Sequence, residues 1–143
     1  MISLIPLFDQ MKIKEALARD NLYVDCFPTD DLYGFPIDLL GTMWFEVVRD
    51  DFVIGLVFIK GFSGSYVALH GGLYKDYRGP STLKILQEIF RLFESWDLKL
   101  VMPIKESNKA ANRLLRMYTK ICTLPEDNDY INVYTTTSIS EYK

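Results

Sequence analysis

The sequence predicts a mixed α/β fold: one mostly antiparallel β-sheet with helices on both faces. Three observations predict it. Two β-rich runs, Thr42–Arg49 and Phe52–Phe62, flank the acidic turn Asp50-Asp51, and a third, Tyr66–Tyr74, follows the turn at Phe62–Ser65; together they make an antiparallel meander. An amphipathic helix follows Gly79, with Leu83, Leu86, Ile89, Phe90, Phe93 and Trp96 at steps of three and four. A buried strand, Leu98–Ile104, comes after that helix, so the strands on either side of it pair in parallel through a right-handed crossover.

Taken in order, Ile2–Leu7 reads as a first strand, ended near Pro6. Phe8–Leu22 reads as a helix with Met11, Ile13, Leu17 and Leu22 inside. Tyr23–Leu40 holds Pro28, Pro36, Gly34 and Asp30-Asp31, and reads as a loop with one short helix around Asp38–Leu40. Gly71-Gly72 interrupts the third meander strand, which points to a bulge or a close backbone approach. Pro103 cannot donate to a ladder, so its strand is expected to be unpaired there. Ser107 or Asn108 caps a further helix whose inner face is Ala111, Leu114, Leu115, Tyr118 and Ile121. Tyr130–Thr136 is the last strand.

The chain has 143 residues, 49 % of them apolar, enough for one core in a single domain spanning 1–143. Its 16 basic and 19 acidic residues are interspersed and give a net charge of −3, which argues against a dedicated nucleic-acid binder. No stretch reaches the ~20 apolar residues that cross a bilayer, and the N-terminus lacks a signal-peptide pattern, so no membrane partner is expected. Cys26 and Cys122 lie far apart and are expected to stay reduced in a cytoplasmic protein. With one His and no Cys/His cluster, no metal is expected. No Ser-His-Asp order, Walker loop or dinucleotide fingerprint is present.

The most informative stretch runs from Tyr66 to Trp96. A strand enters a helix through the short turn Tyr77-Arg78-Gly79, with Pro80 opening the helix. Such a turn aims backbone N–H groups at one spot, and the helix dipole adds positive potential, so the place suits an anion.

This order, strand, Tyr-Arg-Gly turn, helix, resembles the coenzyme-A-binding core of the GNAT N-acetyltransferases. The family's diphosphate turn reads Gln/Arg-x-x-Gly-x-Gly/Ala. Arg78 fits its first position, while Ser81 and Leu83 stand where the family has small residues. Downstream, Asn108 and Ala111 match the family's Asn-x-x-Ala-x-x-x-Tyr segment. Leu115 occupies the place of its proton-donating Tyr, and Tyr118 follows three residues later. The resemblance implies a GNAT-like mixed sheet with two splayed central strands, Tyr66–Tyr74 and Leu98–Ile104, and acetyl-CoA as the acyl donor. It implies the Leu73 N–H as the group that polarises the thioester carbonyl, and Arg78, Gly79, Ser81, Thr82 and Asn108 as coenzyme contacts. His70 or Glu46 would be the base and Tyr118 the acid. The acceptor would be an amine, on a small molecule or a protein, in a groove lined by Trp44, Tyr33 and Phe35.

Each residue also has a plainer reading. His70 fits a satisfied or surface histidine, Glu46 a solvent-facing strand residue and Tyr118 core packing. Arg78 fits a solvated turn, and Ser81 and Thr82 fit helix caps. The altered motifs also resemble small GNAT-like proteins of tailed phages, of the head-assembly or internal virion type. That resemblance implies a structural role with catalysis lost, a phage structural protein as partner, and residence in host cytoplasm or virion. A homodimer is a further expectation.

Overall fold

The structure is a computed structural model that describes residues 1–22, 37–126 and 129–136. The predicted loop from Tyr23 to Pro36, with Tyr33, Phe35 and Cys26, lies outside the described residues.

The strands are β1 (Ile2–Leu7), β2 (Thr42–Arg49), β3 (Phe52–Ser63), β4 (Tyr66–Leu73), β5 (Lys99–Lys105), β6 (Thr119–Glu126) and β7 (Asp129–Thr135). The helices are α1 (Gln10–Ala18), α2 (Thr82–Glu94) and α3 (Lys109–Leu115). The strands form one sheet in the order β1-β2-β3-β4-β5-β7-β6. Pairing is antiparallel for β1/β2, β2/β3, β5/β7 and β6/β7, and parallel for β4/β5. The predicted mixed, mostly antiparallel α/β class is the observed one.

Chain contacts define two compact units, Met1–Lys60 with His70–Ile89, and Gly61–Leu69 with Phe90–Lys143. In the first, Ile13 and Leu17 of α1 pack with Leu22, Trp44, Leu56, Phe58 and Tyr74. Trp44 faces α1, so its neighbours Phe45 and Val47 alternate toward the opposite side, and they too are buried; β2 is covered on both faces. In the second, Ala68, Val101 and Val133 form a core with Tyr66, Ile121, Cys122 and Ile131 against it.

The β2–β3 hairpin closes as the acidic turn predicts. Asp50 and Asp51 take φ of +51° and +68°, the left-handed pair that a two-residue hairpin requires and that Asp tolerates. In β4, Gly71 has φ of +115°, and a Cβ there would lie 2.2 Å from the Leu56 carbonyl oxygen. The Gly-Gly break is thus a close backbone approach between β4 and β3.

Several expectations are corrected. Helix α1 is shorter than Phe8–Leu22: Asp9 caps it through the N–H groups of Met11 and Lys12, and a 3-10 turn at Arg19–Asn21 ends it. Met11 is exposed and Lys14 is buried instead, because Met11 lies about 200° around the helix from Ile13. Asp38–Leu40 is no helix but a turn held by the Asp38 carboxylate, which accepts from the N–H groups of Leu40 and Gly41. Ile85, Ile89 and Phe93 form the buried line of α2, and Trp96 lies beyond its end, half exposed.

The largest correction concerns residues 116–126. The predicted helix through Tyr118 and Ile121 stops at Leu115, and Thr119–Glu126 is strand β6. Thr119, Ile121 and Thr123 are β-branched and alternate at the strand period, which favours extended chain. Pro125 is tolerated because β6 is an edge strand, as is β1 with Pro6. Pro103 is corrected on one edge only: it stands in register with Val133 of β7, while the ladder with β4 ends at Val101, before it.

Candidate active site

Strand β4 and the turn into α2 carry most of the predicted site. The parallel ladder with β5 joins Tyr66–Ala68 to Lys99–Val101 and goes no further, so among the described residues no ladder covers Leu73 on that edge. On the other edge the Tyr74 N–H donates to the Ile54 carbonyl of β3 at 2.8 Å. In a trans peptide the carbonyl points opposite to the next N–H. The Leu73 carbonyl therefore leaves β4 on the edge away from β3, and the Leu73 N–H leaves from the same edge. Arg78 folds back onto that carbonyl, its Nε donating at 2.8 Å.

The turn then ties itself. The Gly79 N–H donates to the Thr82 hydroxyl at 2.8 Å, and the Thr82 N–H donates to the Gly79 carbonyl at 3.0 Å. The first i→i−4 bond of the helix runs from the Ile85 N–H to the Ser81 carbonyl. The N–H groups of Ser81, Leu83 and Lys84 precede it and sit at the positive end of the dipole. Gly79 faces open space, since a Cβ there would meet nothing within 4 Å. A diphosphate fits this turn: three backbone donors stand at the head of the helix, a glycine leaves room, and the Thr82 hydroxyl keeps its own proton to donate.

The candidate bases lie in the same unit. The His70 ring stacks on Phe58 (centroids 4.9 Å, interplanar angle 17°), and Phe58 stacks on Trp44 (4.2 Å, 22°). The His70 Nε2 is buried without a hydrogen-bond partner. Burial, reinforced by Lys60, pushes its pKa from 6.5 down to about 4, so the ring is neutral at pH 7 and a weak base. Glu46 is half-buried on β2, on the Trp44 side of the strand, and its charge helps raise the Tyr74 phenol. Tyr74 itself went unnoticed in the sequence. Its hydroxyl donates to the Ala16 carbonyl at 2.8 Å, Arg19 lies 4.1 Å over its ring, and burial above all lifts its pKa to about 12.

Tyr118 and Asn108 lie in the second unit. Tyr118 is not on α3. Its ring meets Phe90 edge-on at 5.6 Å, and its N–H donates to the Leu115 carbonyl. Asn108 caps α3, its Oδ1 accepting from the Ala111 N–H at 3.2 Å. Trp44, expected to line an acceptor groove, is buried in the α1 core at 2 % exposure.

The sequence also hid a polar hub. The Asn112 Nδ2 donates to the carbonyls of Lys105 (2.9 Å) and Asn108 (2.8 Å). Its Oδ1 accepts from the Tyr134 hydroxyl (2.8 Å) and the Asn132 Nδ2 (3.0 Å), and the Thr123 hydroxyl donates to Asn132 Oδ1. Among the described residues no group of three or more His, Cys, Asp or Glu is placed to hold a metal, and no helix is long and apolar enough to cross a membrane.

No protein-family model matches the chain, and no curated protein sequence does. Solved structures do. The aminoglycoside acetyltransferase AAC(6′)-Ib, in complex with paromomycin and acetyl-CoA, superposes with a TM-score of 0.71 at 14 % identity, covering 99 % of this chain and 96 % of that one. The N-acetyltransferase PseH of Campylobacter jejuni, in complex with acetyl-CoA, gives 0.63 at 20 % identity, covering 96 % and 100 %. The ribosomal-protein-S5-alanine acetyltransferase of Vibrio fischeri gives 0.68 at 15 %, covering 96 % and 92 %. At these TM-scores and with near-complete coverage, the chain has the fold of the GNAT N-acetyltransferases.

Proposed function

We propose that this protein binds acetyl-CoA at the β4–α2 turn and transfers the acetyl group to an amine, the whole chain acting as one GNAT-like domain. One observation carries the reading: an unladdered edge of β4 at Leu73 leads directly into a turn with an open glycine and three leading helix amides. Solved structures of this fold bound to acetyl-CoA support it.

Bound there, acetyl-CoA supplies an activated acetyl thioester. The N–H groups of Ser81, Leu83 and Lys84, the Thr82 hydroxyl and the outer nitrogens of Arg78 hold the diphosphate beside Gly79. The Leu73 N–H polarises the thioester carbonyl. Glu46 accepts the amine proton, because its carboxylate is only half-buried while the His70 ring is stacked on Phe58 with Nε2 enclosed. The acceptor is a primary amine on a small molecule or a protein N-terminus; the two kinds of acceptor named for structural neighbours, aminoglycosides and ribosomal proteins, support that range.

Calorimetric titration with acetyl-CoA tests binding, and free-thiol release with a panel of amines tests transfer. The expected result is saturable heat and amine-dependent thiol release that falls at least tenfold in Glu46→Gln. Absence of both heat and thermal shift at millimolar acetyl-CoA refutes the reading.

A second reading has one observation in its favour: Leu115, where the family carries its acid Tyr, is buried at 4 % exposure. In that reading the fold is kept without catalysis, as in small phage-encoded GNAT-like proteins, and works through contacts with a structural protein or a second copy. It predicts no acetyl transfer to any amine, and a stable protein partner on co-purification.

A further inference from the structure

We infer that Arg78 is a positioning residue for the Leu73 peptide, beyond any charge it offers to phosphate. The inference rests on the proposed acetyl-CoA site.

The argument is one of bond directions. The peptide joining Leu73 to Tyr74 is held at both ends. Its N–H donates to Ile54 of β3, and its carbonyl accepts from Arg78 Nε on the opposite edge, both at 2.8 Å. A strand edge without a ladder leaves its carbonyls to water and its peptide planes free to tilt. Here the ladder with β5 ends at Ala68, five residues before Leu73, and a glycine at φ +115° intervenes. Nothing in the ladder pattern would hold the Leu73 edge in register past that point. Arg78 does what a neighbouring strand would otherwise do. By fixing the carbonyl of Leu73 it fixes one of the two peptide planes that meet at Leu73, and with Leu73 kept extended the N–H of the other plane leaves from the same edge.

The choice of residue fits this task. Nε of a guanidinium is a single directed N–H on a planar group, and two outer nitrogens remain for other partners. Lysine carries the charge without that directed donor. Arg78 lies only five residues after Leu73, across the 3-10 turn Lys75–Tyr77, so the loop closes on itself without a distant partner. The bond between the Gly79 N–H and the Thr82 hydroxyl braces the base of that loop.

The expected signature separates this role from phosphate binding. The thioester carbonyl of bound [1-13C]acetyl-CoA, read by isotope-edited infrared difference spectroscopy, should lie below its frequency in solution. In Arg78→Met, which keeps the length of the stem and removes the donors, the band should return at least halfway. Arg78→Lys should behave like Arg78→Met. The same shifts should appear with S-acetylpantetheine, which has no diphosphate. In the unliganded protein, amide exchange at Tyr74 should rise at least tenfold in both variants, while their unfolding midpoints stay close to wild type because Arg78 is exposed.

A wild-type protein that binds acetyl-CoA, with a band unmoved in Arg78→Met, overturns the inference and leaves the proposed function standing. So does a variant that weakens acetyl-CoA binding, spares S-acetylpantetheine and is rescued by Lys, since that is the pattern of a phosphate contact alone. A wild-type protein that binds neither compound removes both.

Discussion

Two strand-to-helix joints in this molecule use the same kinds of residue to different ends. Where β5 enters α3, the hydroxyl and amide side chains are committed. Asn108 caps the helix, Ser107 donates to Asp129 at 2.7 Å, and Asn112 fills four bonds at once. Where β4 enters α2, the turn ties itself through Arg78, Gly79 and Thr82, yet leaves the leading amides of α2, the Leu73 edge and the buried His70 Nε2 unspent. The first joint is a fastening. The second holds potential hydrogen bonds in reserve, which is what a binding site needs and what a fastening avoids. A short helix of seven residues such as α3 has little stability of its own, and the hub supplies what its length does not.

The comparison breaks first at the hub. Asn112→Leu should cost about 3 kcal/mol, because Tyr134, Asn132 and two backbone carbonyls lose their partner together. Urea unfolding would measure it. A loss below about 1 kcal/mol would mean that the joint is not fastened there.

The next effect lies on β4. The His70 pKa is lowered from 6.5 to about 4 in the folded protein, so the unfolded chain takes up a proton first as pH falls. Stability from this group is complete above pH 6.5 and declines as pH drops toward 4; by pH 5 the loss should reach about 2 kcal/mol. His70→Phe should flatten that part of the stability–pH curve. A wild-type curve already flat from pH 7 to 5 would show that the ring is not enclosed as described.

A smaller effect sharpens the contrast at the turn. Ser81→Asp should stabilise α2 slightly through the helix dipole, yet weaken coenzyme A binding about tenfold by meeting the diphosphate with like charge. Unchanged affinity would place the diphosphate elsewhere. The smallest effect is Asn108→Ala, expected to lower stability by about 1 kcal/mol through loss of the cap.

The sequence made the β2–β3 hairpin legible because its signals are local. Two β-branched runs meet at Asp50-Asp51, and nothing distant is needed. The turn at Arg78–Thr82 was legible for the same reason. Strand β6 was not. Leu114, Leu115, Tyr118 and Ile121 repeat at helical spacing, and no Gly or Pro follows Leu115 to stop the helix. What stops it is tertiary: Asn112 draws the helix onto β7 through Asn132 and Tyr134, partners twenty and twenty-two residues away. Tyr74 escaped notice likewise, since its bond to Ala16 spans fifty-eight positions. Tyr118 falls at helical spacing after Leu115, but the protein does not build the helix face that would present it as an acid. The alternation of Thr119, Ile121 and Thr123 was the one local signal for the strand.

The central claim is that the reserve of donors at the β4–α2 joint receives coenzyme A. Residue-resolved NMR of the amide groups during a coenzyme A titration tests it directly. The account predicts large, saturable shifts at Leu73 and from Gly79 to Lys84, with the amides of Asn108 to Asn112 almost unmoved. Shifts confined to the β5–α3 joint, or none at millimolar coenzyme A, would contradict it.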